Sequence, residues 1–385
     1  MFGLFNKKKP KKLWQKIVGA AFSVITVVVL AYIAISLITG RTVSFSWLTG
    51  IFTSQNRVVI TDELLFDVGR DRVFANLGDS IAAAGSLGVQ VLRHDGTQSL
   101  RDTFRMFRPA IVSNGPRAIA FDIGGTSVRV FDSGQLLAAF YTEGTIISAS
   151  INRNGWFTVN TQEGGGLRSV VTVYNAQGNA VFAVFLGSGY AFSSVLSPDN
   201  RSLAVLNLTD AGSRITLYQG LDDSQVDAQF TLQDGLILAI RFAPNGNLIA
   251  VGADVLISID RNGIGSIIYE YSDNLLGGFI PEDNFIILHL LDFNVGHSGR
   301  LVRIDYRGRI LSEKAISREI ISMSYNNGNL VVLFSDSVEF FDSNLNPIPV
   351  SDPHGSIIGI NNVLALGGGV ALAAGEHIAE AIKTE

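Results

Sequence analysis

No cysteine occurs anywhere in the 385 residues. That absence removes disulfides, thiolate metal sites, iron–sulfur clusters and cysteine nucleophiles together, and it leaves the redox compartment open. Proline is scarce at 9 copies and charged residues make up only 16%. The few histidines form no pair at i, i+2 or i, i+4 and no HExxH, which argues against zinc. Gly-x-Ser-x-Gly elbows, glycine loops followed by Lys-Ser/Thr and nucleic-acid-binding phrases are missing as well. No cofactor and no catalytic cluster is expected from this inventory.

Acid is missing from the N-terminus. The first 16 residues carry Lys7, Lys8, Lys9, Lys11, Lys12 and Lys16 and no Asp or Glu, so the rest of the chain is more acidic than the net charge of −5 suggests and is a poor partner for nucleic acid. Residues 17–39, IVGAAFSVITVVVLAYIAISLIT, have neither charge nor proline. As a helix they would extend about 34 Å, enough to cross a bilayer in contact with membrane lipid. The alternatives are a cleaved signal peptide, usually shorter in its apolar part, and a core helix, which usually has a polar face. The lysines place the 1–16 tail in the cytoplasm and everything after the span outside. Trp14 and Trp47 flank the run where aromatic residues favour headgroups, and 40–56 reads as an interfacial linker.

What is abundant is glycine, 40 copies, and a recurring phrase: an apolar alternating strand, then Asp or Asn, then a small polar turn. It occurs as VQVLRHDG at 89–96, VRVFDSG at 128–134, VTVYNAQG at 171–178, ITLYQG at 215–220, LISIDRNG at 256–263, LVRIDYRG at 301–308 and VEFFDSN at 338–344. The anchors His94, Asp132, Asn175, Gln219, Asp260, Asp305 and Asp342 recur every 37 to 45 residues. Such a phrase makes a hairpin corner, because the Asx side chain accepts from the backbone two residues on and glycine supplies positive φ. A second hairpin precedes each phrase, as in SVLSPDNRSLAVLN at 194–207. Four strands per unit of about 40–45 residues is the WD40-like period of a β-propeller blade.

The expected architecture is therefore an all-β propeller over 57–385, preceded by one transmembrane helix. Eight four-stranded blades fit the length, with seven as the alternative. Expected boundaries are 71–107, 109–143, 145–188, 190–232, 235–271, 275–316, 319–350 and a last blade from 355 with strands at 356–363, 369–375 and 377–383. Residues 58–68 are expected to supply its missing outer strand and close the ring.

Two local motifs yield to this frame. FDIGGTSVRVFD at 121–132 resembles the phosphate hairpin of sugar kinases with the actin-like fold, but no helices or second adenosine loop follow. The repeat places Gly124 and Gly125 in a type I′ corner between two strands of the second blade. Asp292, Asn294 and Gly296 echo a calcium loop whose twelfth position is Arg303, where an acid is required. A polar turn is expected there.

The body as a whole resembles a family of uncharacterised bacterial proteins with a short basic N-terminus, one membrane span and an extracytoplasmic propeller. The likeness is carried by MFRPAIVSNGPRAIAFDIGGTSVRVFD at 106–132, GWFTVNTQEGGGLRSVVTVYNAQG at 155–178 and SSVLSPDNRSLAVLN at 193–207. It implies the architecture and no activity. The signature phrases of WD40, kelch and quinone-cofactor propellers are absent, so none of their partners carries over.

The function expected on these grounds is a non-catalytic binding or scaffolding module, fixed in the cell membrane with the propeller on the extracytoplasmic side. The alternative is a cell-envelope glycan hydrolase or lyase with carboxylates in the channel. Three enlarged loops between second and third strands share one rim and each combines an acid with an arginine: Glu163 and Arg168, Asp210 and Arg214, Asp292 and Arg300. Loop charges ordinarily serve solubility, yet the planar fork of arginine suits a carboxylate or phosphate. An acidic envelope protein or an anionic polymer is the expected partner of this rim.

Overall fold

The computed structural model describes residues 60, 63–164, 168–221, 225–292, 298–350, 359–376 and 378–385. The chain divides into two units, 1–56 and 57–385. The basic tail, the apolar run, the linker and the anchoring residues Lys7 to Lys16, Trp14 and Trp47 lie outside the described residues. Among the described residues no helix is long and apolar enough to cross a membrane.

In the second unit, short runs of β-branched, aromatic and alanine residues between Gly/Asn/Asp corners form strands, and each strand pairs antiparallel with the next in sequence. Eight sheets result, over 73–103, 109–141, 145–186, 190–233, 237–270, 274–316, 320–348 and 360–383. The first seven have four strands, lettered a to d in chain order, and the eighth has three. The opening strands of successive sheets approach one another, and that of the eighth approaches that of the first. Strand a therefore faces a common axis and the sheets close into a ring. Antiparallel pairing puts every a–b and c–d corner at one end of the ring and every b–c loop and d–a crossover at the other.

Burial follows from this stacking. Strands b such as Ser80–Gly85, Leu248–Gly252 and Val370–Gly375 are buried along their whole length because sheets cover both of their faces. Strands d such as Gln98–Thr103 and Leu136–Tyr141 lie outermost and alternate with solvent. One apolar cluster fills each of the eight junctions between neighbouring sheets. Ala82, Ala84, Val89 and Val91 meet Ala118, Ala120 and Phe131 at the first of them, where small residues on one sheet leave room for a large one on the next.

The c–d corners behave as local chemistry dictates. The Asp260 carboxylate accepts from the amides of Asn262 at 2.9 Å and Ile264 at 2.8 Å, and Asn175 and Asp342 repeat the pattern. In the first blade Asp95, not His94, is the acceptor, taking the amide of Thr97 at 2.8 Å. At Asp305, partial burial works against ionisation, but the Arg309 amide and guanidinium and the Arg307 amide outweigh it and hold the carboxyl below its ordinary range. The corner glycine has a second task. A Cβ on Gly308, at φ +82°, would stand 2.1 Å from the Ile268 carbonyl oxygen on strand d of the preceding blade. The glycine lets one blade's corner lie against its neighbour's edge. In the seventh blade Leu345 takes the positive φ of 63° and is buried against the junction of blades six and seven.

Closure was expected from 58–68, of which residues 60 and 63–68 are described, and over these it rests more on packing than on pairing. Among the described residues the ladder is a single antiparallel bridge, Glu63 to Glu380, with the Leu64 amide donating to Ala379 O at 2.9 Å. Leu64, Phe66 and Val68 are buried between the eighth and first blades while Leu65 is 74% exposed, so the strand alternation persists where the ladder does not. The opening strand of the last blade is Ile360–Gly367, later than the expected 356–363, because the corner is made by Gly367 to Gly369, all at positive φ. Residues 351–358 lie outside the described residues.

The two uses of glycine separate by mutation. Gly328, at φ +89° with open space where a Cβ would stand, should lose about 1–2 kcal/mol on change to Ala, from backbone strain alone. Gly308→Ala should lose a further 1–3 kcal/mol or so for overpacking against Ile268. Denaturant midpoints of the two variants measure the difference.

Candidate functional site

At the a–b end the axial mouth opens into a cavity of about 710 Å³, lined by the ends of strands a and their corners from every blade except the fourth. Its charges come from Arg153, Arg241, Glu282 and Asp283. The Asp283 carboxylate lies between two cations: it bonds the Arg241 guanidinium and stands 3.8 Å from that of Arg153. Arg241 also donates to the Pro281 carbonyl at 3.2 Å. Burial pushes the Glu282 carboxyl upward, the Arg241 charge opposes this, and Asp283 adds to it. The Tyr306 hydroxyl fixes this corner by donating to the Glu282 carbonyl oxygen. Hydrolysis of a glycoside by paired carboxylates would need two acids facing each other about 5–9.5 Å apart. The acids lining this mouth, Glu282 and Asp283, are neighbours on one corner, and Asp283 is engaged with arginine.

The six residues expected to form a binding rim lie on the b–c loops, or the strand ends beside them, of blades three, four and six, and the structure does not join them in pairs. Among the described residues no ion pair links Glu163 to Arg168, Asp210 to Arg214 or Asp292 to Arg300. Glu163 accepts the Thr161 hydroxyl at 2.8 Å, and Arg168 donates to the Tyr190 hydroxyl at 2.9 Å while lying over its ring. Asp292 takes the Asn274 amide at 2.9 Å, and Arg300 donates to the oxygen of the same Asn274 and stands 3.3 Å from Glu313. Among the described residues Asp210 and Arg214 have no side-chain partner. Asn294 and Gly296 of the calcium-like phrase lie outside the described residues. Asp234, Asp254 and Asp273 line a cavity of about 690 Å³ at the same end, whose lining holds no arginine.

A feature of this end escapes inspection of the sequence. In blades three to eight strand a carries a β-bulge near its start, leaving Ile147, Phe192, Leu238, Gly277, Ile321 and Asn361 without a partner residue on strand b. A bulge turns its extra residue out of the pleat's alternation. Phe192 and Ile321 are 39% and 46% exposed, and Leu236 on the crossover into blade five and Leu275 near the start of strand a of blade six are exposed as well.

The DIGGT phrase is structural. Asp122 is buried, and its Oδ1 accepts the amides of Phe107 at 2.9 Å and Arg108 at 2.7 Å, fastening the crossover from blade one to blade two. Gly124 alone has positive φ, and the Gly125 amide donates to Asp122 O, so the corner is of type II pattern and not type I′. Gly125 is needed for a different reason, since a Cβ there would strike the Asp122 carboxylate at 2.2 Å. His289 is buried opposite the bulge at Gly277, and burial pushes its imidazole pKa down. Among the described residues no group of three or more His, Asp or Glu side chains is placed to hold a metal.

Arg153, Arg241 and Asp283 were not anticipated. The available signal was the a–b corner taken as its own repeat: most of these corners carry Asn, Gly or Pro, and their charged members are Asp79, Arg153, Asp199, Arg201 and Glu282–Asp283.

Eight radially stacked antiparallel sheets closed about an axis define an eight-bladed β-propeller. The chain belongs to a family of unknown function, DUF5711, whose model matches residues 55–346. No curated protein matches it. The crystal structure of the C-terminal WD40 domain of Sif2 is similar with a TM-score of 0.58 at 14% identity, covering 84% of this chain and 99% of that one. Sqt1 of Saccharomyces cerevisiae gives 0.57 at 14% identity, covering 84% and 99%. BamB from Moraxella catarrhalis gives 0.50 at 14% identity, covering 84% and 100%. At these identities the likeness is one of fold alone.

Replacing Asp122 by Ala should lower stability by about 2 kcal/mol, because the Phe107 and Arg108 amides lose their acceptor and the crossover loses its tie to a buried side chain. Urea unfolding checks this, and added nucleotide should leave the midpoint of the native protein unmoved.

Proposed function

We propose that this propeller is a non-catalytic binding module of the cell envelope, held to the membrane by residues 17–39 with the ring on the extracytoplasmic side, and that it engages a partner protein through its b–c end. The observation that carries the reading is the set of bulges that bring Phe192 and Ile321 into solvent at one end of a ring whose strands b are buried over most of their length. Large apolar side chains gathered at one end of a rigid scaffold favour protein contact. The carboxylates Asp210, Asp234, Asp254 and Asp273 at that end, which form no ion pair among the described residues, would repel a polyanion. A protein is therefore a better partner than an anionic polymer. Arg214, without an ion partner, and Arg168, held over Tyr190, supply directional contacts to carboxylates of that protein. The lysine-rich tail ahead of an uncharged apolar run supports the topology.

Photo-crosslinking from Ile321 in the intact membrane should give one discrete adduct, while crosslinking from Ile264, on a c–d corner at the other end, should not. Phe192→Glu with Ile321→Glu should abolish the adduct from Leu236 and change the melting temperature little, as surface substitutions do. A reporter joined after Glu385 should be active only on the extracytoplasmic side. An unaltered adduct in the double variant would count against the b–c end, and a cytoplasmically active reporter against the topology.

A further inference from the structure

The axial mouth at the a–b end is built for something other than the rim's partner. Its volume of about 710 Å³ lies within the range of small-molecule sites. Its two cations and two anions balance, and Asp283 is shared between both arginines, so no net charge is offered to an ionic ligand. The remaining polar groups are mainly side-chain amides. Asn326 and Asn327 make no side-chain hydrogen bond among the described residues, although both line the cavity. Their amide nitrogens stand 3.4 Å from where a Cβ of Gly367 would be, beside a corner that carries no side chain over Gly367 to Gly369. Asn114 gives its nitrogen to the Ile151 carbonyl at 3.4 Å and leaves its oxygen unbound. The lining residue Gly78 meets nothing where a side chain would stand. Tyr325 adds a half-buried ring among these amides, edge-on to Phe285.

Amides offer a donor and an acceptor in one plane, and a hydroxyl both donates and accepts, so an array of amides with unused capacity matches a polyhydroxylated ligand. An aromatic ring beside them suits the C–H face of a sugar. Apolar ligands would leave these amides unsatisfied at a cost for each one, and highly charged ligands would find no opposite excess. We infer that the a–b mouth is a binding site for a neutral oligosaccharide, recognised by Asn326, Asn327 and Asn114 and held without cleavage. This site lies at the other end of the ring from the proposed protein contact, and each can fail without the other.

The test uses the full chain in lipid nanodiscs, so that no sugar-based detergent competes. Chitotriose, maltotriose and trialanine serve as probes, and binding is followed by saturation-transfer NMR and calorimetry. At least one of the two trisaccharides should bind with a millimolar or tighter constant. Asn326→Ala with Asn327→Ala should weaken it about tenfold or more, as loss of two ligand hydrogen bonds requires, at an unchanged melting temperature. Phe192→Glu, at the far end, should leave saccharide affinity unchanged. Asn114→Ala, on a different blade, provides a second variant should the double change disturb the seventh blade. The inference is overturned if neither saccharide binds, if binding survives both sets of asparagine changes, or if trialanine binds and the saccharides do not.

Discussion

Face-to-face packing of neighbouring sheets is the interaction on which the molecule depends. No single blade can bury its own strands. Asn329–Phe334 is polar only at its first residue, and it stays out of water because Ile287 and Leu301 of blade six cover one side and Val363 and Ala371 of blade eight the other. Every junction must be filled, including the one where the chain meets itself. That last junction is filled by Leu64, Phe66 and Val68, inserted between Leu372 and Ala379 of the eighth blade and Ile81 of the first. An open ring would expose two apolar sheet faces at once, which makes closure a condition of the fold and not an ornament of it.

The same constraint divides the chain between stability and recognition. Strands b and c are fixed by neighbours on both faces, so variation is free only at the two ends. At one end the corners bring Arg153, Arg241 and Asp283, from the third, fifth and sixth blades, around a single polar mouth. At the other the bulges expose apolar side chains that regular strands would have hidden. A rigid ring needs no rearrangement to present either surface, which lowers the cost of ordering a binding site.

What could be read from the sequence was whatever is encoded locally. Asp260 with Gly263, and Asp305 with Gly308, state their corner within four residues, and their recurrence gave the blade count and boundaries to within a few positions. Local reading failed where the outcome depends on pairing. Gly124 and Gly125 look equivalent, yet one serves the turn's φ and the other makes room for Asp122. Thr158 and Asn160 alternate with Phe157 and Val159 and suggest a half-exposed strand. Both are buried, in a polar network with Ser148, Ser150 and Ser194 between blades three and four. The bulges leave no trace because they are relations between strands, and the a–b mouth gathers residues from Asn76 to Leu366 that only ring closure brings together. Loop length marks the b–c loops of blades three, four and six, but not the partners within the chain that Glu163, Arg168, Asp292 and Arg300 find in Thr161, Tyr190 and Asn274.

Closure is open to a direct measurement because the chain has no cysteine to confuse it. Glu63 and Glu380 face each other across an antiparallel bridge, at a position where the neighbouring Leu64 amide, not their own, makes the hydrogen bond. Cα atoms at such pairs are about 4.5 Å apart, within the span of a disulfide. Glu63→Cys combined with Glu380→Cys, oxidised in the folded full-length protein, should give an intramolecular disulfide and a raised melting temperature, reversed by reductant. Free thiols persisting in the folded protein, or crosslinks only between molecules, would contradict a ring closed by its N-terminal segment.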